Sequence, residues 1–223
     1  DLKAADRGGM MFQPVPGLYD RVSEIDFTSL YPSIIVSYNL SPETLAQPDR
    51  EGFLPLVLGP LLALRKESKA RKGSDPSCAG IDALLKWMLV TCFGYTGYKN
   101  AKFGQIEVHE KITGHAREIL LTAKECAEEM GFDVLHGIVD SLWVQGGPAG
   151  ALKVRIEEKT GLHTTLDCYD WIVFLPMADG FGAYNRYYGR LGTGVMKVRG
   201  IMARRGDTPA YVRVMQESLL SVL

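Results

Sequence analysis

Apolar side chains recur every three or four residues through Ile112, Ala116, Ile119, Ala123, Ala127 and Met130, and that period predicts an amphipathic helix over 110–130, closed by Gly131. Shorter apolar runs between turn residues predict strands at 22–26, 132–139, 141–145 and 165–175, then at 181–188 and 195–202. Residues 29–38 read as a helix, with Pro32 early enough to be tolerated. Residues 55–72 and 81–93 read as two more, separated by the loop KGSDPSCAG and so expected to form a helical hairpin. A helix over 148–159 ends at Gly161, and a last one covers 209–223. The first twenty residues, broken by Gly8, Gly9, Pro14, Pro16 and Gly17, read as a connector. SPET from Ser41 reads as a turn or cap, and GYTGYKNAKFG from Gly94 as a turn region.

With the hairpin set aside, the order is strand, helix, strand, strand, helix, strand. This is the ferredoxin-like (split βαβ) arrangement of an α+β fold. Its first and third strands are neighbours, and the first ends at the edge where the second turns into the third. Asp26 closes the first strand and Asp140 sits at the tight junction between the second and third, so the two acids are expected to meet.

The 223 residues are 46% hydrophobic, enough for a sizeable core. Lys+Arg of 25 against Asp+Glu of 26 gives a net charge of -1, so the total charge says nothing of a polyanionic partner. Its distribution says more. Arg65, Lys66, Lys69, Arg71 and Lys72 face one acid, Glu67, and a second basic run extends from Arg186 to Arg213 with Asp207 alone. The four cysteines show no CxxC spacing and read as reduced thiols, neither a zinc site nor a disulfide frame. No apolar run is expected to reach a membrane span and no signal peptide is evident, which implies a cytoplasmic, nucleoid-associated protein with no membrane partner. The chain opens on Asp1 rather than Met, as a fragment or processed product would.

Asp26 stands at a strand end just before a helix N-terminus, whose free N–H groups hold phosphate, and this suits a metal-bound phosphate ester. With Asp140 it could share two Mg2+ ions about 3.5–4 Å apart, the apparatus of in-line phosphoryl or nucleotidyl transfer, with Mn2+ as a substitute. Arg65 and Lys69 lie four apart on one helix face. Together with Lys86 on the next helix they would neutralise a triphosphate. Taken singly, either acid reads as a cap or turn residue and Lys86 as a solvated charge.

DFTSLYPSII, from Asp26, resembles the first polymerase motif of the family B DNA polymerases, DxxSLYPSII. KWMLVTCFGYTGY resembles their second, KxxxNSxYG followed by GYTG, and HGIVDSLWV their third, YGDTDS. ALRKESK is similar to their basic fingers helix, and NRYYG and VRGIMARRGDTP to the late palm segments that touch the primer. The resemblance covers nearly the whole chain in order. It implies a ferredoxin-like palm at 1–54 and 99–223 with a helical-hairpin fingers subdomain inserted at 55–98. By motif position, Asp26, Phe27 (through its backbone) and Asp140 would hold the metals. Ser29, Leu30, Tyr31, Arg65, Lys69, Lys86, Phe93 and Gly94 would hold the nucleotide, with Tyr31 under the sugar excluding a 2′-hydroxyl. Arg186, Tyr187, Lys197, Arg199, Arg204 and Arg205 would face duplex phosphates in a salt-sensitive contact. Singly, Tyr31 also reads as a core aromatic and each basic residue as a surface charge.

Several motif positions differ. Val90 and Thr91 replace Asn and Ser, Phe93 replaces Tyr, Ile138 replaces the first Asp of the third motif, Val139 its Thr and His136 its Tyr, and Asn185 replaces a late Lys. This pattern is similar to a divergent archaeal subgroup, and the lost polar groups imply reduced activity. His136 reads either as a hydrogen-bonding group near the metals or as a buried structural histidine. The function implied is a DNA-directed DNA polymerase core acting with dNTP on primer–template DNA. A weak or inactive polymerase-like DNA-binding or scaffold subunit is the alternative. A third reading, another two-metal palm enzyme such as a nucleotidyl cyclase, is opposed by the cation set and Tyr31. The residues after Pro209 are too few for a thumb and none corresponds to an exonuclease domain, so a partner chain or a further region would supply both.

Overall fold

The computed structural model describes residues 8–223. Seven strands form one sheet: β1 Met11–Phe12, β2 Gly17–Phe27, β3 Asp133–Ile138, β4 Ser141–Gln145, β5 Thr164–Pro176, β6 Gly182–Leu191 and β7 Met196–Arg199, in the order β1-β3-β4-β2-β5-β6-β7. The middle four, β3-β4-β2-β5, reproduce the ferredoxin-like order expected from the sequence. β1 falls within the stretch read as a connector. It pairs antiparallel with β3, Phe12 opposite Gly137, where a Cβ would come 2.4 Å from the Phe12 ring, so only glycine admits this close approach. β2 starts well before residue 22, the expected boundary.

Four consecutive residues of β4, Ser141 to Val144, are buried, so the sheet is covered on both faces there. Val22, Glu24 and Asp26 alternate onto one face and lie opposite Gln145, Trp143 and Ser141. On it Val22, Trp143, Tyr169, Ile172, Phe174 and Tyr187 form one buried cluster, with Trp143 edge-on to Tyr187 at 5.4 Å.

The helices are α1 Leu30–Ser37, α2 Phe53–Arg71, α3 Ser77–Thr96, α4 Ile106–Glu129, α5 Ala149–Thr160 and α6 Ala210–Leu220, with 3-10 turns at Pro42–Leu45 and Met202–Arg204. Ser29, at φ 53, turns the chain sharply into α1. α2 and α3 pack as the expected hairpin. α3 outruns its predicted span at both ends. An isolated Gly such as Gly94 costs a helix only about 1 kcal/mol, less than the packing of Leu85 and Leu89 supplies. That extension corrects the expectation about membrane spans: α3 has the length and mean hydropathy (1.3) to cross one, with 17% of the window buried. Its Asp82, however, is ion-paired to Arg65 of α2, which fits a helix packed in a hairpin. In α4 the predicted stripe is buried from Ile112 to Ala127, whereas Met130 lies past the helix end and is exposed.

The chain divides into two compact units. One holds Phe27–Ile119 with residues 8–10, and the other holds Met11–Asp26 with Leu120–Leu223. The second contains the sheet apart from Phe27; the first contains α1 to α3 and the start of α4.

Candidate active site

In the sheet unit, Asp26 is the register partner of Ser141, the residue after Asp140. Ser141 Oγ donates to Asp26 Oδ2 at 2.8 Å. Ile138 pairs with Ser141, which leaves Val139 and Asp140 as a two-residue hairpin loop. The Asp140 amide donates to the Ile138 carbonyl at 2.6 Å, a three-residue turn centred on Val139, whose φ of 53 is rare for a β-branched residue. Both acids are half-buried. Among the described residues no three His, Cys, Asp or Glu side chains cluster as a metal cage. The two carboxylates at this end of the sheet nonetheless suit Mg2+, which takes one or two carboxylates and fills its remaining positions with water and substrate phosphate. They do not fit structural zinc.

Glu24, two residues before Asp26 on the same face, is 4% exposed. Its Oε2 accepts from the Tyr169 hydroxyl and from Lys197 Nζ at 2.7 Å, and Lys197 also reaches Asp167 at 2.8 Å. Burial pushes the Glu24 carboxyl up, with Lys197 and Tyr169 pulling it back. Burial works against the Lys197 charge too, but Glu24 and Asp167 outweigh it and hold the ammonium above its ordinary pKa.

These contacts revise the duplex-facing set. Tyr187 is buried in the aromatic cluster, where burial and then Glu24 raise its phenol pKa, and Lys197 is committed to two carboxylates. Arg186, Arg199, Arg204 and Arg205 are exposed, Arg205 being paired with Asp207 at 2.8 Å. His136 is fully buried, with Nδ1 2.7 Å from the Phe12 carbonyl oxygen, Nε2 2.9 Å from that of Tyr184, and its ring stacked on Trp143. It is a structural histidine.

In the helical unit, Arg65 Nε donates to Asp82 Oδ1 at 3.2 Å, its Nη1 bonds Ser29 Oγ, and Lys72 reaches Asp82 at 3.4 Å. Lys69 and Lys86 are exposed, each one turn along its helix from the Arg65–Asp82 pair. Tyr31 stacks on Phe93 with centroids 3.9 Å apart and 13° between planes; Leu30 is buried and Gly94 exposed. The sequence reading missed Ser141, Glu24 and Asp82. Two of them carried a signal: Glu24 lies two residues from Asp26 in a strand, and Asp82 lies four before Lys86 in a helix.

The model of the family described as DNA polymerase family B matches residues 2–51. The DNA polymerase 2 of Saccharolobus solfataricus is 36% identical over 99% of this chain and 36% of its own length. That of Aeropyrum pernix is 29% identical over 90% of this chain and 28% of its own. The solved structure of the family B DNA polymerase from the hyperthermophilic archaeon Pyrobaculum calidifontis superposes with a TM-score of 0.67 at 29% identity, covering 89% of this chain and 30% of that one. The chain therefore spans about a third of the length of these relatives. Motif order, strand order and these likenesses agree: the chain belongs to the family B DNA polymerases.

Proposed function

We propose that this chain is the catalytic core of a DNA-directed DNA polymerase, transferring a nucleotidyl group from a dNTP to a primer 3′-hydroxyl. The observation that carries the reading is the pairing of Asp26 with Ser141, which sets Asp140 one residue away from the partner of Asp26. Asp26, Asp140 and the Phe27 carbonyl would hold two Mg2+ ions. When bound, these supply activation of the attacking oxygen and neutralisation of the leaving pyrophosphate. Arg65, oriented by Asp82 and Ser29, and Lys69 and Lys86 to either side of it, suit an extended triphosphate. Ser29 and Leu30 would offer backbone to the phosphates, Tyr31 would lie under the sugar, and Phe93 and Gly94 would border the new base pair. Arg186, Arg199, Arg204 and Arg205 would grip duplex phosphates. The remaining two thirds of the relatives' length would supply the thumb and exonuclease parts, in the same chain or a partner, and the work would be done at the nucleoid in the cytoplasm.

The palm is proposed at 1–54 and 99–223 and the fingers at 55–98. A weakly active or inactive DNA-binding subunit is the second reading, favoured by Ile138, Val90 and Thr91 at positions where the motifs carry polar groups. Primer extension with Mg2+ or Mn2+ and four dNTPs, beside an Asp140→Ala control, separates them. Extension lost in the variant supports the polymerase. Binding of primer–template without extension supports the second reading.

A further inference from the structure

Behind Tyr31 and Phe93 stands a third ring. His109, near the start of α4, stacks on Phe93 with centroids 4.5 Å apart and 17° between planes, so that Tyr31, Phe93 and His109 form one column drawn from three helices of the same unit. The column is pinned at its far end. Thr96 Oγ1 lies 2.7 Å from the Phe93 carbonyl oxygen and 3.0 Å from His109 Nδ1. A carbonyl can only accept, so the one hydroxyl hydrogen goes to Phe93, and His109 must donate from Nδ1 to the Thr96 oxygen. The same buried threonine therefore fixes the imidazole and the carbonyl of the residue it stacks on. Gly97 completes the seat: a Cβ there would come 3.0 Å from His109 Nδ1, so the ring lies flat against a backbone that has no side chain.

A ring that discriminates a hydroxyl from a hydrogen must be held to a fraction of an ångström. Neither Tyr31 nor Phe93 is β-branched, so the tilt of each ring is set by what packs against it. We infer that His109 is a positioning residue for sugar selection: as the fixed base of the Tyr31–Phe93–His109 column, it holds Tyr31 where it excludes a ribonucleotide. The inference rests on the polymerase reading above and adds to it a residue outside every motif.

The test is single-nucleotide primer extension by the 223-residue chain. It compares kcat/KM for a matched dNTP and for its rNTP in the unsubstituted protein and in His109→Leu, His109→Gln and His109→Phe. The loss of one stacked pair is expected to lower the dNTP/rNTP ratio roughly threefold to tenfold in His109→Leu and His109→Gln, through faster rNTP use, with the dNTP value nearly unchanged. His109→Phe keeps the stack and retains the ratio. Should the leucine variant not fold, the glutamine variant, which keeps a donor for Thr96, carries the same expectation. An unchanged ratio in both ringless variants overturns the inference. So does an equal fall for both nucleotides, the mark of a merely structural role, and so does a phenylalanine variant as permissive as leucine. These outcomes leave the polymerase reading standing. An unsubstituted chain that neither extends a primer nor binds a nucleotide overturns that reading, and this inference with it.

Discussion

Ser141 hands its hydroxyl hydrogen to Asp26 Oδ2 across 2.8 Å, between two residues paired on adjacent strands. Strand pairing, rather than a flexible loop, therefore orients the Asp26 carboxylate, and the residue just before its partner, in the tight β3–β4 turn, is Asp140. Partners of this kind are commonly worth tenfold to a hundredfold in metal affinity. Ser141→Ala is accordingly expected to weaken Mn2+ binding about tenfold, measured by calorimetric titration. Asp140→Ala is expected to abolish both binding and primer extension.

Val139 takes up φ 53 at the centre of the tight turn before Asp140, a conformation that glycine adopts without steric cost and valine does not. Val139→Gly should relieve that strain, partly offset by a more flexible unfolded chain, for a net gain of about 1 kcal/mol. Urea unfolding checks the sign: a lower midpoint in the glycine variant refutes it.

His136 is buried, and burial lowers its pKa, while the carbonyls of Phe12 and Tyr184 push the other way without prevailing. The folded state therefore resists a proton that the unfolded chain takes up near its ordinary 6.5. Between the two pKa values the unfolded state binds more protons, so stability falls as the pH drops through about 6.5. Melting temperatures from pH 8 down to 5 should show that decline, and His136→Gln should flatten it.

Four exposed arginines and one committed lysine separate phosphate contacts from structural ones. Replacing Arg186, Arg199 or Arg204 by Ala should each reduce the slope of log K for duplex DNA against log salt by about 0.9. Arg205, already paired with Asp207, should give less. Lys197→Ala should cost stability instead, about 3–5 kcal/mol, because Glu24 is left buried without its cation. Filter binding over a salt series and a thermal melt on each variant distinguish the two behaviours.

The amino-acid order alone determined that two acids far apart in the chain share one end of a ferredoxin-like sheet. The reason is that strand order follows from hydrophobic period and connection lengths, which are local properties. It likewise showed the α2–α3 hairpin, because a Gly- and Pro-bearing loop between two helical runs leaves few other arrangements. Only the tertiary structure decided which way individual side chains turn. Tyr187 and Arg186 are adjacent in β6, yet the pleat sends one into the aromatic cluster and the other to the surface, and a sequence without a register cannot say which. Lys197 looked like one more basic residue until β6 and β7 paired and β5 lay alongside, bringing Glu24 and Asp167 to its ammonium group. His109 gave no signal at all. Its role depends on three helices meeting at one column of rings, and packing between elements distant in the chain is written in no single stretch of it.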